Sequence, residues 1–277
     1  MLCVRPQPNN NFHYYSCNRP LPSASSPSPT TPLRCCNAPS TVWHQTYQHI
    51  EHLIIDGASK DDTLAIAHRY AEGKNYPVVI QSEPDKGIYD AMNKGMAKAT
   101  GDYLVFLNAG DVFHADDTLQ TVCQTIALQT AGNTSAPLPA VVYGDTAIVD
   151  EQGHFLRLRR LRPPHQLSWR SFRWGMLVCH QSFYARTDVA QQHHYNLQYR
   201  HSADVDWCIR LMKDAEKRHL PIVNSHQILS DFMDGGNTTQ HHRASLRERF
   251  TVMRNHYGFV STLLCHLWFV IRAVIKK

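Results

Sequence analysis

The stretch that most constrains the fold runs from Gln81 to Asp111, QSEPDKGIYDAMNKGMAKATGDYLVFLNAGD. Ile88, Ala91, Met92, Gly95, Met96 and Ala99 recur at i, i+3, i+4 and i+7, which places them on one face of a helix opened by the turn Pro84-Asp85-Lys86-Gly87. Thr100-Gly101-Asp102 ends that helix. Tyr103 to Leu107 is then a short run of strand formers without polar alternation, the pattern of a strand covered on both faces. Such a strand delivers Asn108, Ala109, Gly110 and Asp111 to its carboxyl end, where open α/β sheets seat their ligands. A small acidic turn in that place can hold a divalent cation and, through it, a diphosphate.

The flanking sequence repeats the alternation. TVWHQTYQHIEHLIIDGASKDDT reads as the end of a helix, a turn at Gln45-Thr46-Tyr47, and a strand from His52 to Ile55 that stops at Asp56-Gly57. Ser59 to Asp62 supply helix-start residues for a run through Leu64, Ala67 and Tyr70, with Ser59 and Thr63 expected to cap it. Pro77 to Gln81 is the next strand. The order strand, helix, strand, helix, strand before Asp111 predicts a mostly parallel sheet flanked by helices. Beyond it, a helix from Asp116-Asp117 to about Gln129 leads through the loop Ala131 to Pro139 to a strand at Val141 to Tyr143. Glu151 to His154 read as a hairpin turn between Ala147 to Asp150 and Phe155 to Leu158. Met176 to Ala185 is strand-like, and DVDWCIRLMKDAEK is an amphipathic helix with Asp204 and Asp206 in its first turn. Strands at Pro221 to Val223 and Gln227 to Ser230, a flexible Asp234 to Asn237, and a helix from about His242 to Asn255 complete the pattern.

Two ends stand apart. Residues 1 to about 40 are crowded with Pro, Ser and Asn and show no periodicity, so they are expected to be disordered or non-native, leaving residues 41–240 as the folded domain. HYGFVSTLLCHLWFVIRAVIKK, within a helical segment 241–277, suits either a helix lying in a membrane interface with Trp268, Arg272, Lys276 and Lys277 as anchors or a helix packed on the domain or on a second subunit. A chain of 277 residues with 43% apolar content can bury one sizeable core with a helical annex. Its net charge of +5 is interleaved with acids, which argues against a nucleic-acid groove. The local excess Arg157, Arg159, Arg160, Arg162, Arg170 and Arg173 favours an anionic substrate or an anionic inner-membrane surface. Eight scattered cysteines suggest neither a disulfide framework nor a zinc site, and with no signal-like apolar core the expected compartment is the cytoplasm, with peripheral attachment to the inner face of the plasma membrane.

IIDGASKDDT, SEPDKGIYDAMNKGMAKATGDYLVFLNAGD, HQSFYA, HSADVDWCIRL and DGGNTT, in that order between about Val42 and Arg249, resemble family 2 glycosyltransferases, most of all the bacterial branch that builds colanic acid, capsule and other surface polysaccharides. The resemblance implies an α/β GT-A fold, a nucleotide-diphospho-sugar donor, Mg or Mn, and inversion at the anomeric carbon. It also implies roles. Asp111 would ligate the metal, with Asn108 standing where many members have the first of two aspartates. Asp56 and Asp85 match residues that meet the nucleotide, while Asp90 and Asn93 are expected either to face the site from their helix or to lie on its solvated face. Asp204 matches the carboxylate that takes the acceptor's hydroxyl proton, with His180, Gln181 and Asp206 at the acceptor or sugar and Asp206 as support. The acceptor is expected to be a saccharide, lipid-linked if the C-terminal helix lies on a bilayer. Members begin with a strand that enters the middle of the sheet, and no such strand is legible in residues 1–40. Its absence would make the chain a nucleotide-sugar-binding relative without turnover. A metal-dependent hydrolase built on His180, Asp204 and Asp206 is a third reading.

Overall fold

One mixed β-sheet organises the chain, as seen in a computed structural model that describes residues 12–18, 41–108, 110–130, 136–234 and 242–275, with the side chains of 12–18, 242–243 and 273–275 excepted. In chain order the elements are β1 (Phe12–Asn18), β2 (Ile50–Asp56), α1 (Thr63–Ala71), β3 (Val78–Ser82), α2 (Ile88–Lys98), β4 (Tyr103–Asn108), β5 (Val112–Phe113), α3 (Thr118–Thr130), β6 (Val141–Val149), β7 (Phe155–Leu158), β8 (Phe183–Arg186), α4 (Thr187–Ala190), α5 (Ala203–Lys217), β9 (Ile222–Met233), α6 (His242–Tyr257) and α7 (Phe259–Ile275). The strands form one sheet in the order β3-β2-β1-β4-β8-β6-β9-β5, with β7 paired to β6.

The quartet β3-β2-β1-β4 is parallel. Past β4 the sheet turns mixed: β8 runs antiparallel to both β4 and β6, while β6 and β9 are parallel. β4 shows why its sequence lacks alternation. Leu104 and Phe106 enter the core beneath α2 and α5, whereas Tyr103, Val105 and Leu107 enter the core beneath α3, so both faces are apolar. On α2 the stripe Ala91, Met92, Gly95 and Met96 is buried as its spacing predicts.

The expectation of no strand in the first forty residues is corrected for seven of them. β1 fills the slot between β2 and β4, from Phe12 opposite Ile50 and Tyr103 to Asn18 opposite Asp56. Left empty, that slot would expose a row of unpaired amides and carbonyls on each neighbour. Phe12-His13-Tyr14-Tyr15 contains enough strand-forming aromatics to fill it, a local signal submerged in a Pro- and Ser-rich background. The rest of residues 1–40 lie outside the described residues, as do Ala109 and residues 235–241.

Four smaller expectations also change. The run from Met176 to Ala185 is a strand only from Phe183, because a 3₁₀ turn at His180–Ser182 precedes it. The strands expected at Pro221 to Val223 and Gln227 to Ser230 are one, β9, kinked at His226 with φ 57°. Ser59 does not cap α1; its side chain turns back to Asp56. The residue preceding α1 is Asp62, and the Thr63 amide bonds to Asp61.

The register of β6 against β9 shifts around Gly144, where a Cβ would meet the Gln227 carbonyl oxygen at 2.5 Å and Leu229 Cγ at 2.7 Å. A side chain there would force the kinked strand outward. Gly144→Ala should therefore lower stability by about 1–3 kcal/mol in urea unfolding. An unchanged midpoint would mean that the kink yields freely.

Candidate active site

The aligned carboxyl ends of β1, β2 and β4 set the floor of the site, with Asn18 opposite Asp56 and Cys17 opposite Asn108. Asp56 is buried, and its oxygens accept hydrogen bonds from the Ser59 amide (3.0 Å), the Ser59 hydroxyl and the Ser82 hydroxyl (2.6 Å). Asp85 lies beside it. Its Oδ1 accepts from the Gly87 amide at 2.7 Å, and its Oδ2 stands so close over Gly57 that a Cβ there would come within 2.5 Å. Gly57 is thus the residue that lets the two carboxylates converge on the β2 terminus.

Asn93 is placed differently from its expected role. Its amide is committed to the Tyr195 backbone, donating to the carbonyl oxygen at 3.0 Å and accepting from the amide at 2.7 Å. The bracket fixes Tyr195 in a column of rings, stacked on Tyr89 at 5.4 Å and on Trp207 at 5.0 Å between centroids. Asn93 therefore positions the wall of the site and does not present its amide to a nucleotide.

The turn after β4 closes on itself. The Asp111 amide donates to the Asn108 carbonyl oxygen (3.0 Å), and the Asn108 amide donates to Asp111 Oδ2 (3.0 Å). Burial pushes the Asp111 carboxyl above its ordinary range, opposed by His180 and by hydrogen bonds from Gln181 and Asn108. Two buried acceptors nearby, Asn108 Oδ1 and Gln181 Oε1, have no hydrogen-bond partner. Unpaired buried oxygens are costly unless something occupies them. One carboxylate and two amide oxygens are hard donors of the type that Mg and Mn accept, with remaining positions left for a donor's phosphates. Among the described residues no cluster of three or more His, Cys, Asp or Glu side chains could hold a metal alone.

His180 connects this turn to the far side of the site. Its Nε2 lies 2.8 Å from Asn108 Nδ2, and its Nδ1 lies 3.8 Å from Asp204 Oδ2. Asp204 stands in the first turn of α5, where the helix dipole favours a negative charge. Its Oδ1 accepts from the Tyr89 hydroxyl (3.2 Å) and the Val205 amide (2.9 Å). Burial pushes the Asp204 carboxyl up, but His180 and Arg249 more than offset it and hold the group below the usual carboxylate range. Asp204 is thus an ionised carboxylate whose Oδ2 retains lone-pair capacity.

Asp206 has no free face. Its oxygens bond Arg210 Nε and His256 Nε2, each at 2.8 Å, which ties α5 to α6. It supports Asp204 and does not contact an acceptor, so His180, Asp204 and Asp206 do not form the metal set that a hydrolase would need.

Three contributors were not identified from the sequence. Tyr89 lies on the exposed-looking side of the α2 pattern. Glu248 accepts from the amides of Arg200, His201 and Ser202 at 2.9, 2.6 and 3.1 Å, pinning the loop that leads into α5. Arg249 is largely buried: burial works against its charge, Asp204 supports it, Arg159 opposes it, and its Nε has no partner. Glu248 and Arg249 sit in an ordinary charged helix, RERF, and no spacing in it signals a site.

Comparison with known proteins agrees with this geometry. The glycosyl transferase family 2 model matches residues 37–193, more than half of the chain. A PGL/p-HBAD biosynthesis glycosyltransferase of Mycobacterium bovis is 32% identical over 182 residues, covering 61% of each chain. The amylovoran biosynthesis glycosyltransferase AmsB of Erwinia amylovora is 26% identical over 215 residues, covering 74% of this chain and 67% of the relative. The chain thus spans about three fifths of the length of the mycobacterial relative. The mannosyltransferase PcManGT of Pyrobaculum calidifontis, solved with GDP-Man and Mn2+, superposes with a TM-score of 0.57 at 12% identity, covering 93% of this chain and 74% of that one, which shows a shared GT-A fold. The chain belongs to glycosyl transferase family 2.

Proposed function

We propose that the chain transfers a sugar, with inversion, from a nucleotide-diphospho-sugar to a hydroxyl of a saccharide acceptor in surface-polysaccharide synthesis. The observation that supports this reading is the span of His180 from Asn108 to Asp204, so that one side chain separates the acidic turn from the carboxylate of α5. Nucleotide sugar would lie at the carboxyl ends of β1, β2 and β4, with Asp56 and Asp85 at the nucleoside. Asp111, Asn108 and Gln181 would hold a divalent cation, which when bound supplies Lewis-acid stabilisation of the departing nucleoside diphosphate.

The remaining chemistry belongs to this chain's side chains. As the acceptor oxygen attacks the anomeric carbon, its proton passes to Asp204, and the bond to the diphosphate breaks with its electron pair on the leaving oxygen. His180 and Arg249 keep Asp204 ionised until then, while the Tyr89 hydroxyl holds its Oδ1. Attack from the face opposite the leaving group inverts the anomeric centre. A base whose folded pKa is depressed is ready at neutral pH but weak, so its advantage lies in position.

A lipid-linked saccharide as acceptor and a cytoplasmic site of action belong to the same reading. The free cysteines Cys123, Cys179, Cys208 and Cys265 are consistent with a reducing compartment. The alternative, a relative that binds nucleotide sugar without turnover, rested on a missing first strand, and β1 occupies that position.

The two carboxylates of α5 separate the chemistry from the scaffold. Asp204→Asn should lower kcat by at least about 10²-fold while leaving nucleotide-sugar affinity and the thermal midpoint in place. Asp111→Ala should abolish turnover and weaken donor binding. Product anomers read by NMR should be inverted, and retention would end the proposed mechanism. Asp206→Asn should instead cost about 1–3 kcal/mol of stability by leaving Arg210 and His256 poorly paired. Hydrogen bonds to His256 and Arg210 outweigh burial and hold the Asp206 carboxyl below its ordinary value. Its contribution is therefore full at neutral pH, begins to fade below about pH 4, and is lost as the pH falls through the folded value. Urea melts of wild type and variant should converge in acid; a constant gap would assign the loss to packing.

A further inference from the structure

α7 turns an uninterrupted apolar face outward. Phe259, Val260, Leu263, Leu264, Leu267, Trp268, Val270 and Ile271 are each between 40% and 70% exposed, whereas Thr262 and Cys265 on the other side are buried. At 100° per residue the eight exposed side chains cover about half the helix circumference, and no polar residue interrupts them. The inner face is anchored by Phe250 of α6, whose ring meets Phe259 at 6.2 Å and His266 at 5.0 Å. α7 is therefore fixed to the domain on one side and bare on the other. An apolar band along a helix roughly 25 Å long is more than an isolated exposed leucine.

Cations flank the band. Arg272 lies at its edge over the Phe269 ring at 5.2 Å, and its Nε is buried without a hydrogen-bond partner. Arg173, with Trp174, Phe259, Val260 and Leu264, lines an open cavity of about 610 Å³ at the α6–α7 corner, and its Nε also has no partner. Lys276 and Lys277 follow in the sequence, and α7 contains no acidic residue. Among the described residues no helix is long and apolar enough to cross a membrane.

We propose that this face of α7 docks on an anionic lipid bilayer, lying in its interface. Acyl chains would cover the Phe259 to Ile271 band, and lipid phosphates would meet the guanidinium charges of Arg173 and Arg272 at its margin. The flanking charge selects this occupant over a second copy of the chain, since a two-fold contact through the same face would gather like charges at its margins. Docking bears on transfer through α6, which joins this surface to Arg249 and to the His256 partner of Asp206.

The test is independent of turnover: co-sedimentation of the full chain with vesicles of phosphatidylglycerol and phosphatidylcholine, and with vesicles of phosphatidylcholine alone. Wild type should sediment with the anionic vesicles and far less with the neutral ones. Leu267→Glu should lose about tenfold or more in vesicle affinity with its thermal midpoint unchanged. Arg272→Gln should lose about fivefold, with a weaker salt dependence. Should Leu267→Glu fail to fold, Val260→Glu, more exposed still, replaces it. The proposal is overturned if wild type stays in solution with anionic vesicles, binds neutral ones equally, or is matched by the glutamate variant. It is also overturned if wild type is a dimer that the glutamate variant splits while neither binds lipid, which would give the face to a second copy.

Discussion

The contact on which the site depends is the one between Asn108 and His180. β4 reaches the site as a parallel strand and β8 leaves it as an antiparallel one, and they pair only at Tyr103 and Leu104 with Arg186 and Ala185. The two strands diverge toward the ligand end, and that divergence opens the cleft. Without a tie across it, the turn at Asp111 and the start of α5 would be independent loops. Asn108 spans the gap to His180, and His180 faces Asp204, so the geometry of a metal-type turn and of a base is set by one imidazole. Electrostatics reinforces the tie. The same histidine pulls the Asp111 carboxyl down against burial and helps to hold Asp204 ionised, so both acids share one counter-group.

Behind this contact stand elements that never reach substrate. The ring column Tyr89, Tyr195 and Trp207 fills the space between α2 and α5, and Asn93 fixes its middle ring by satisfying both backbone groups of Tyr195. On the other side α6 uses Glu248 to collect three backbone amides and Asp206 to collect Arg210 and His256. Each of these polar groups is buried or half-buried and paired, which is the condition under which they specify a single arrangement. Asn108 Oδ1, Gln181 Oε1 and Arg249 Nε, in or beside the site, are among the buried atoms without a hydrogen-bond partner, as are Trp207 Nε1 and His193 Nε2 away from it.

How much of this was legible in the sequence follows from what each feature depends on. The α2 stripe and β4 are local: spacing and the lack of alternation fix the helix face and the doubly buried strand, and both are observed. The ordered motifs named Asp56, Asp85, Asn108, Asp111, His180 and Asp204, and the structure sets Asp85 beside the end of β2 that carries Asp56 and links Asn108 to Asp111 and, through His180, to Asp204. For Asn93 and Asp206 the sequence left a site role and a scaffold role open for a shared reason. A polar residue facing a site and one bonded to a neighbouring backbone or helix have the same sequence signature, and only the partner, Tyr195 or His256, separates them. Arg249 and Glu248 were missed for the converse reason, since a charged helix face gives no sign that part of it is buried. β1 is the instructive case. Its residues are adequate strand formers in an unpromising context, and the demand for them comes from β2 and β4, whose free ladders select a strand that the local composition does not announce.

The same logic separates the two surfaces of α6. Its inner side carries Arg249 and His256, which face Asp204 and Asp206 within the fold. At its C-terminal end Tyr257 stacks on Trp169 with 2° between ring planes, and Gly258, at φ 81°, turns the chain directly into α7. A glycine in that left-handed conformation is what allows two helices to meet without a linker. The corner is therefore stiff, and the orientation of the bare face of α7 is fixed relative to Asp204. If that face rests on a bilayer, the cleft is held at a constant attitude to the surface. An acceptor anchored in the membrane would then reach Asp204 by lateral diffusion in two dimensions, and the apolar exposure that would be a liability in solution becomes part of how the substrate is found.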